Sequence, residues 1–383
     1  MMLALSACQS SNLGVSPDTG PSSMPEMQAD LPLPPDPQGE VFGQGNIRVA
    51  LLVPKTAPGN AASVANEIRN GALLAMQDFG NQSIQLVIKD TKGQAADAQA
   101  AAGEAVRERA SIVVGPLFSA SVAAASAVTQ PAGLPVVAFS TDTNVARRGV
   151  YLLSYTPQAD VERIISHAIR LGKRNIFAFL PNNTEGNLRE AMLRQVAGSG
   201  GANVQVFRYE RSGPAIEEAA RNAAASIAEA DTIYIPEGSQ IPNFLISSLK
   251  RNGAQLDGKL LLGSGQWESV KFDGSFEGAL YPGRDVTEFA NFAQRYQTTY
   301  NSQPSPLAAI GYDAVTLVAT LASQHGRNGY TPQILEDRRG YIGINGIFRI
   351  RADGTTDRGL AIYRVQGGKG VLDTPAPRSF SAG

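Results

Sequence analysis

From Ile47 onward, short apolar runs alternate with longer amphipathic stretches, and this alternation restricts the fold more than any other feature of the 383 residues. Ile47-Arg48-Val49-Ala50-Leu51-Leu52-Val53 reads as a buried strand. Val64, Ile68, Ala72, Ala75 and Phe79 then recur at spacings of three and four, which puts them on one helical face. Ile84-Gln85-Leu86-Val87-Ile88 is the next strand. A helix over 95–109, the strand Ile112-Val113-Val114, a small-residue helix over 121–129 and the strand Pro135-Val136-Val137-Ala138-Phe139 follow. This order implies right-handed crossovers and a parallel sheet covered by helices on both faces. The pattern restarts at Tyr151-Leu152-Leu153, with a helix carrying Val161, Ile164, Ile165 and Ala168. It runs on through strands over 175–180, 204–209, 232–235 and 259–262, with helices over 188–196, 215–228 and 244–250 between them. Each series is long enough for one doubly wound sheet. Past Pro282, helices are expected over 286–300 and 307–323. Gly346-Ile347-Phe348-Arg349-Ile350, the turn Asp353-Gly354 and Leu360-Ala361-Ile362-Tyr363-Arg364-Val365 then read as a closing hairpin.

Composition narrows the function. Lys and Arg number 33 against 34 Asp and Glu, so no basic face for nucleic acid is expected. One cysteine and two histidines exclude a Cys-rich zinc site and an internal disulfide, and leave little for His-centred catalysis. His167 and His325 belong to no nucleophile-elbow motif. Gly367-Gly368-Lys369-Gly370 lacks the spacing of a phosphate loop and reads as a turn. No metal site, no cofactor and no catalytic residue are expected.

Four segments carry a family resemblance: residues 113–119 (Val-Val-Gly-Pro-Leu-Phe-Ser), 134–140 (Leu-Pro-Val-Val-Ala-Phe-Ser), Gly311-Tyr312-Asp313-Ala314, and 344–354, from Ile344 to Gly354. In this order they resemble the type I periplasmic binding proteins, the branch of the leucine/isoleucine/valine receptors. The resemblance implies two α/β lobes joined by three crossings and closing on a ligand between them. The crossings are expected near 154–157, 281–285 and 341–346. The first lobe would span 46–154 plus 284–341 and the second 155–283 plus 342–372, with a flexible tail over 373–383.

Ligand residues are sought at the strand ends that face the cleft. The loop through Ser119, Ala120 and Ser121 opens a helix, whose first N–H groups and serine hydroxyls could cradle a carboxylate or another anion; Ser140 and Thr141 add hydroxyls. In the resembling receptors these two loops hold the carboxylate and the amine of an amino acid. Ser119 and Thr141 could equally cap and turn. In the second lobe the receptors offer an acid after the strand matching 260–263, to hold the ammonium. Here the loop reads Ser264-Gly265-Gln266-Trp267-Glu268, and Asn183 stands where an aromatic often covers the ligand. Gln266 is neutral, and Trp267 reads either as cleft lining or as a packing residue.

At the other end, Leu5-Ser6-Ala7-Cys8 resembles the lipobox of bacterial lipoproteins, which implies a truncated signal over 1–8, lipidation of Cys8 and, with Gln9 next, sorting to the outer membrane. The stretch before it lacks the n-region and the full apolar core of a secretory signal, so the true start is expected upstream of Met1. Residues 9–45, rich in Pro, Ser and Asp, read as a disordered linker. An extended linker of about 35 residues at about 3.1 Å each reaches roughly 100 Å.

Tether and altered cleft together resemble the lipoprotein activators of penicillin-binding proteins. The expectation is therefore a non-catalytic, lipid-anchored periplasmic regulator whose partner is a bifunctional penicillin-binding protein, a peptidoglycan synthase. The alternative is the substrate-binding receptor of an ABC transporter for amino acids or a related small solute.

Overall fold

The chain joins its first sheet earlier than its apolar runs suggest. In the computed structural model, which describes residues 36–80 and 82–380, β1 (Glu40–Phe42) pairs antiparallel with a later strand, so the end of the expected linker is ordered structure. The Glu40 carboxylate accepts from Lys55 and Arg69, and the Arg69 guanidinium lies over the Phe42 ring at 5.6 Å, which fixes so short a strand. Cys8, Gln9 and the prolines up to Pro35 lie outside the described residues.

The first lobe then follows the alternation: β2 (Ile47–Val53), α1 (Ala61–Ala75), β3 (Ile84–Asp90), α2 (Ala95–Arg107), β4 (Ile112–Val114), α3 (Ser119–Thr129), β5 (Val136–Ala138) and β6 (Val150–Leu152). The sheet order is β1-β3-β2-β4-β5-β6, parallel except for β1. Every residue of β2 is buried, because helices cover both faces of the sheet. Phe79 departs from the expected helical face: at Met76 α1 passes into a π-helical turn through Gly80, whose wider period shifts the register, and Phe79 is 53% exposed.

The second lobe consists of α4 (Pro157–Arg170), β7 (Asn175–Pro181), α5 (Thr184–Ser199), β8 (Asn203–Tyr209), α6 (Gly213–Ala224), β9 (Thr232–Tyr234), α7 (Ile241–Arg251), β10 (Leu260–Leu262) and β11 (Leu280–Gly283). The chain returns to the first lobe with α8 (Val286–Tyr300) and α9 (Pro306–His325), which is followed by the short α10 (Pro332–Leu335). By length and hydropathy α9 could cross a membrane, but it forms the centre of the first core, packed on α1. The two helices approach at glycines: a Cβ on Gly71 would lie 1.8 Å from Ala308 O, and one on Gly311 2.2 Å from Ile68 O.

A small antiparallel sheet of β12 (Tyr341–Gly343), β13 (Gly346–Ile350) and β14 (Thr356–Arg358) lies at the junction of the lobes. Thr356 Oγ1 donates to Leu152 O at 2.6 Å and Arg358 Nε to Ser154 O at 2.9 Å, binding it to the first crossing. Phe348 and Ile350 pack into the first core. The third passage therefore falls after Arg358 instead of near 341–346. The closing hairpin also differs from expectation. β13 turns at Asp353-Gly354 into β14, while β15 (Ala361–Gln366) joins the second sheet and pairs with β11 and with β16 (Lys369–Thr374). The second sheet runs β16-β15-β11-β10-β9-β7-β8. The expected tail is packed as far as Phe380, whose ring lies 4.7 Å under the Arg349 guanidinium.

Candidate ligand-binding cleft

The chain connections orient the two sheets. It leaves β6 at that strand's C-terminal end and starts α4 within a few residues. Because α4 leads into β7, its N-terminus lies at the C-terminal edge of the second sheet. Gly265 N, just past β10, donates to Asp160 Oδ2 in the first turn of α4 at 3.0 Å, which places the two together. The C-terminal edges of both sheets thus face the crossings, where open α/β sheets bind ligands.

On the first wall, residues 119–121 follow β4 and residues 140–141 follow the adjacent β5, so the structure brings these expected site residues to one edge. Phe118 is the N-cap of α3 and its side chain caps nothing, which leaves the first-turn N–H groups without an intrahelical acceptor. Ser119 is half-buried and Ala120 exposed, while Ser121 is 1% exposed and its hydroxyl has no hydrogen-bond partner. Ser140 is more constrained: its Oγ accepts from Asp142 N at 3.1 Å and its carbonyl accepts from Ser154 Oγ at 2.7 Å. Thr141 is exposed.

The second wall differs from expectation at Trp267. The indole is fully buried, donates from Nε1 to Glu237 O at 3.0 Å and packs against Phe272, Phe276 and Tyr281, so it is a core residue and lends the cleft no surface. Gly263 makes room for it, since a Cβ there would lie 2.0 Å from the indole. Gln266 is exposed on the loop after β10. Asn183 is the N-cap of α5, its Oδ1 accepting from Gly186 N at 2.9 Å.

What the sequence did not reveal is an ion network at the ends of β7, β8 and β9. Arg211 donates to Glu185 Oε2 at 2.9 Å and to Glu237 Oε1 at 3.0 Å, and Arg189 donates to Glu185 Oε1 at 3.1 Å. Burial works against ionising Glu185, but Arg189 and Arg211 outweigh it and hold the carboxyl below its usual range. At Asp160 burial wins over Arg189 and pushes the carboxyl up.

The sequence profile of a family described as periplasmic binding protein matches residues 46–369. The chain belongs to the periplasmic binding protein family. Its architecture is the type I fold of that family, whose members are binding proteins of the periplasm. Similar solved structures include a protein from Rhodospirillum rubrum assigned to branched-chain amino acid ABC transport, with TM-score 0.73 and 19% identity over 85% of this chain and 99% of that one. An ABC transporter substrate-binding protein from Desulfitobacterium hafniense in complex with Leu gives TM-score 0.62 and 18% identity over 86% and 100%. A solute-binding protein from Rhodopseudomonas palustris with 3,4-dihydroxybenzoic acid gives 0.58 and 16% over 88% and 97%. No curated protein matches.

For a periplasmic binding protein the chemistry of the cleft is recognition. Its walls hold hydroxyls, helix N–H groups and paired ions. Among the described residues no three His, Cys, Asp or Glu side chains are grouped to hold a metal ion. His167 lies on α4, buried, and burial together with Arg170 and Arg163 lowers its pKa; His325 ends α9.

Proposed function

We propose that this chain is a non-catalytic solute receptor that closes on a small carboxylate and presents it to an ABC permease. The observation that carries this reading is the uncapped N-terminus of α3 at the facing strand ends, with the half-buried Ser119 in its first turn. Helix N-termini of this kind favour anions. Leucine and 3,4-dihydroxybenzoic acid, bound by two similar proteins, both bear a carboxylate. On the second wall Glu185 and Glu237 are committed to arginine and Asp160 accepts from Gly265 N. That arrangement favours a carboxylate lacking an ammonium group over an amino acid.

Calorimetric titration tests the reading. Benzoate-type or aliphatic carboxylates are expected to bind at micromolar levels, leucine more weakly, and Ser119→Ala to weaken the carboxylate by about tenfold, the equivalent of one hydrogen bond. Absence of binding by all of these overturns it.

The second reading, favoured by the neutral Gln266 and the withdrawn Trp267, is a regulator that keeps the fold and docks on a bifunctional penicillin-binding protein while tethered through lipidated Cys8 to the outer membrane. Copurification with such a synthase and faster glycan polymerisation would support it; neither effect would sink it.

A further inference from the structure

β16 ends the second sheet and leaves its outer side open. Among the described residues no strand lies beyond it, and residues 369–373 are all exposed, Val371 at 44% and Leu372 at 47%. The turn that leads into it decides which backbone groups face outward. Gln366 and Lys369 close the two-residue turn Gly367-Gly368, whose φ angles of 55° and 75° are those of a type I′ hairpin. The closing pair of such a hairpin exchanges hydrogen bonds, and the pairs beyond it alternate. Val365 confirms the phase: its N donates to Ala279 O at 2.8 Å and its carbonyl accepts from Gly278 N at 2.9 Å, on the side away from β16. Gly370 stands opposite Val365, and Leu372 opposite Tyr363. Both therefore turn their N–H and C=O groups outward.

An open edge of this kind is a template for another strand, and proteins commonly guard it with a bulge, a proline or a lysine. Here the irregularity that skips Asp373, and Pro375 after it, shorten the edge but lie beyond both outward-facing residues. Lys369 is exposed and makes no ion pair among the described residues. Asp373, four residues on, accepts from Arg364 Nε at 2.7 Å and from Thr374 Oγ1 at 3.0 Å, and a carboxylate so held still has lone pairs for a further donor.

We propose that β16 is the contact strand of a homodimer, paired antiparallel with β16 of a second copy across a two-fold axis. One register fits every residue of the strand. Outward-facing residues must meet outward-facing residues, so the two strands can shift only two residues at a time. With Gly370 opposite the partner's Leu372, both outward residues of each strand exchange hydrogen bonds with the other copy. Val371 then meets the partner's Val371 on the axis, and Lys369 falls opposite the partner's Asp373. The leucine faces a glycine, which has no side chain to collide with it. The valines form the close apolar pair that non-hydrogen-bonded positions favour, and the charges are complementary where an edge lysine would otherwise repel. Shifting the register either way sets Lys369 against Val371 or Pro375 and loses the charge pair. The strip is short, so the contact belongs to the weak, reversible class. It joins two seven-stranded sheets into one, and because β16 lies in the second lobe, each copy's lobes stay free to turn about the crossings.

The test uses the whole chain with Cys8→Ser, so that an introduced cysteine is the only one. Val371→Cys sets two thiols at a non-hydrogen-bonded pair, where Cα atoms about 4.5 Å apart suit a disulfide. Under mild oxidation of concentrated protein, this chain is expected to form a covalent dimer at least about tenfold faster than Arg339→Cys, whose exposed position reports random collision. Lys369→Glu added to Val371→Cys puts like charges opposite each other and should slow the link by roughly fivefold. Both positions are exposed and lie outside the second core, so the fold is not at stake. Val371→Cys linking no faster than Arg339→Cys overturns the proposal, and so does a link whose rate Lys369→Glu leaves unchanged.

Discussion

Asp313 shows how one side chain ties the first lobe to the hinge. It sits on α9, is 2% exposed, and accepts from Ile344 N at 2.6 Å and from Asn345 Nδ2 at 3.5 Å, so it holds the loop between β12 and β13. Burial pushes its carboxyl up to about 6, against the opposing pull of Arg358. A carboxyl raised in the folded state favours folding while both states are protonated, and that advantage is lost as pH climbs from about 4 through about 6. The rise from 3.8 to about 6 corresponds to roughly 3 kcal/mol against the ionised folded form. Asp313→Asn is expected to flatten stability between pH 4 and 6 and to raise it at pH 7, as read by urea unfolding at several pH values; the buried Asn345 Oδ1, which has no partner, can turn to meet the new amide. An unchanged pH profile would contradict this. At this scale the sequence was legible in part. The helix opening at 119–121 could be read, because helix starts rich in serine have a local signature. Trp267 could not be placed, since a single large aromatic fits a core as well as a cleft. The network of Arg189, Arg211, Glu185 and Glu237 was hidden, because only the Glu185–Arg189 pair has a helical spacing that sequence displays.

Among the elements, most strands of the two sheets were legible for a physical reason: burial on two faces demands a largely apolar run, and β2, with Arg48 its one charged residue, and β7 supply one. Most of the missed strands lack that demand; β11 is the exception, buried throughout, but its Leu-Tyr-Pro-Gly run reads as part of a crossing. β16 is exposed through residues 369–373 and pairs only at an edge, β1 has three residues, and β12 is half-buried at most. The α1–α9 contact was illegible because glycine carries no pattern of its own. Gly311→Ala would drive a methyl group into the backbone of Ile68, and loss at or beyond the upper end of the about 1–3 kcal/mol usual for overpacking is expected. Chemical unfolding followed by near-ultraviolet circular dichroism checks this, with Gly198→Ala, a position in α5 with open space around it, as the comparison.

For the whole molecule, the facing sheet edges and the three passages allow the lobes to rotate about the β12–β14 junction. A cleft ligand that touches both walls favours the closed arrangement by its differential affinity. Small-angle scattering is expected to show a smaller radius of gyration with a bound carboxylate than without it, and no change for a carboxylate that calorimetry shows not to bind. The two-lobe plan was readable from the repeated alternation. The place of the third passage was not, because Phe348 and Ile350 look alike whichever core takes them.

Those same passages bear on how the chain becomes folded. The first core needs Ala308, Val315 and Phe348 as much as Leu51 and Val114, and the second sheet needs β15 from beyond residue 360. An emerging chain that ended at β6 would hold its first sheet with the α1 face uncovered, and one that ended at β11 would still lack both closing pieces. The native packing of both lobes therefore depends on segments from the last quarter of the polypeptide.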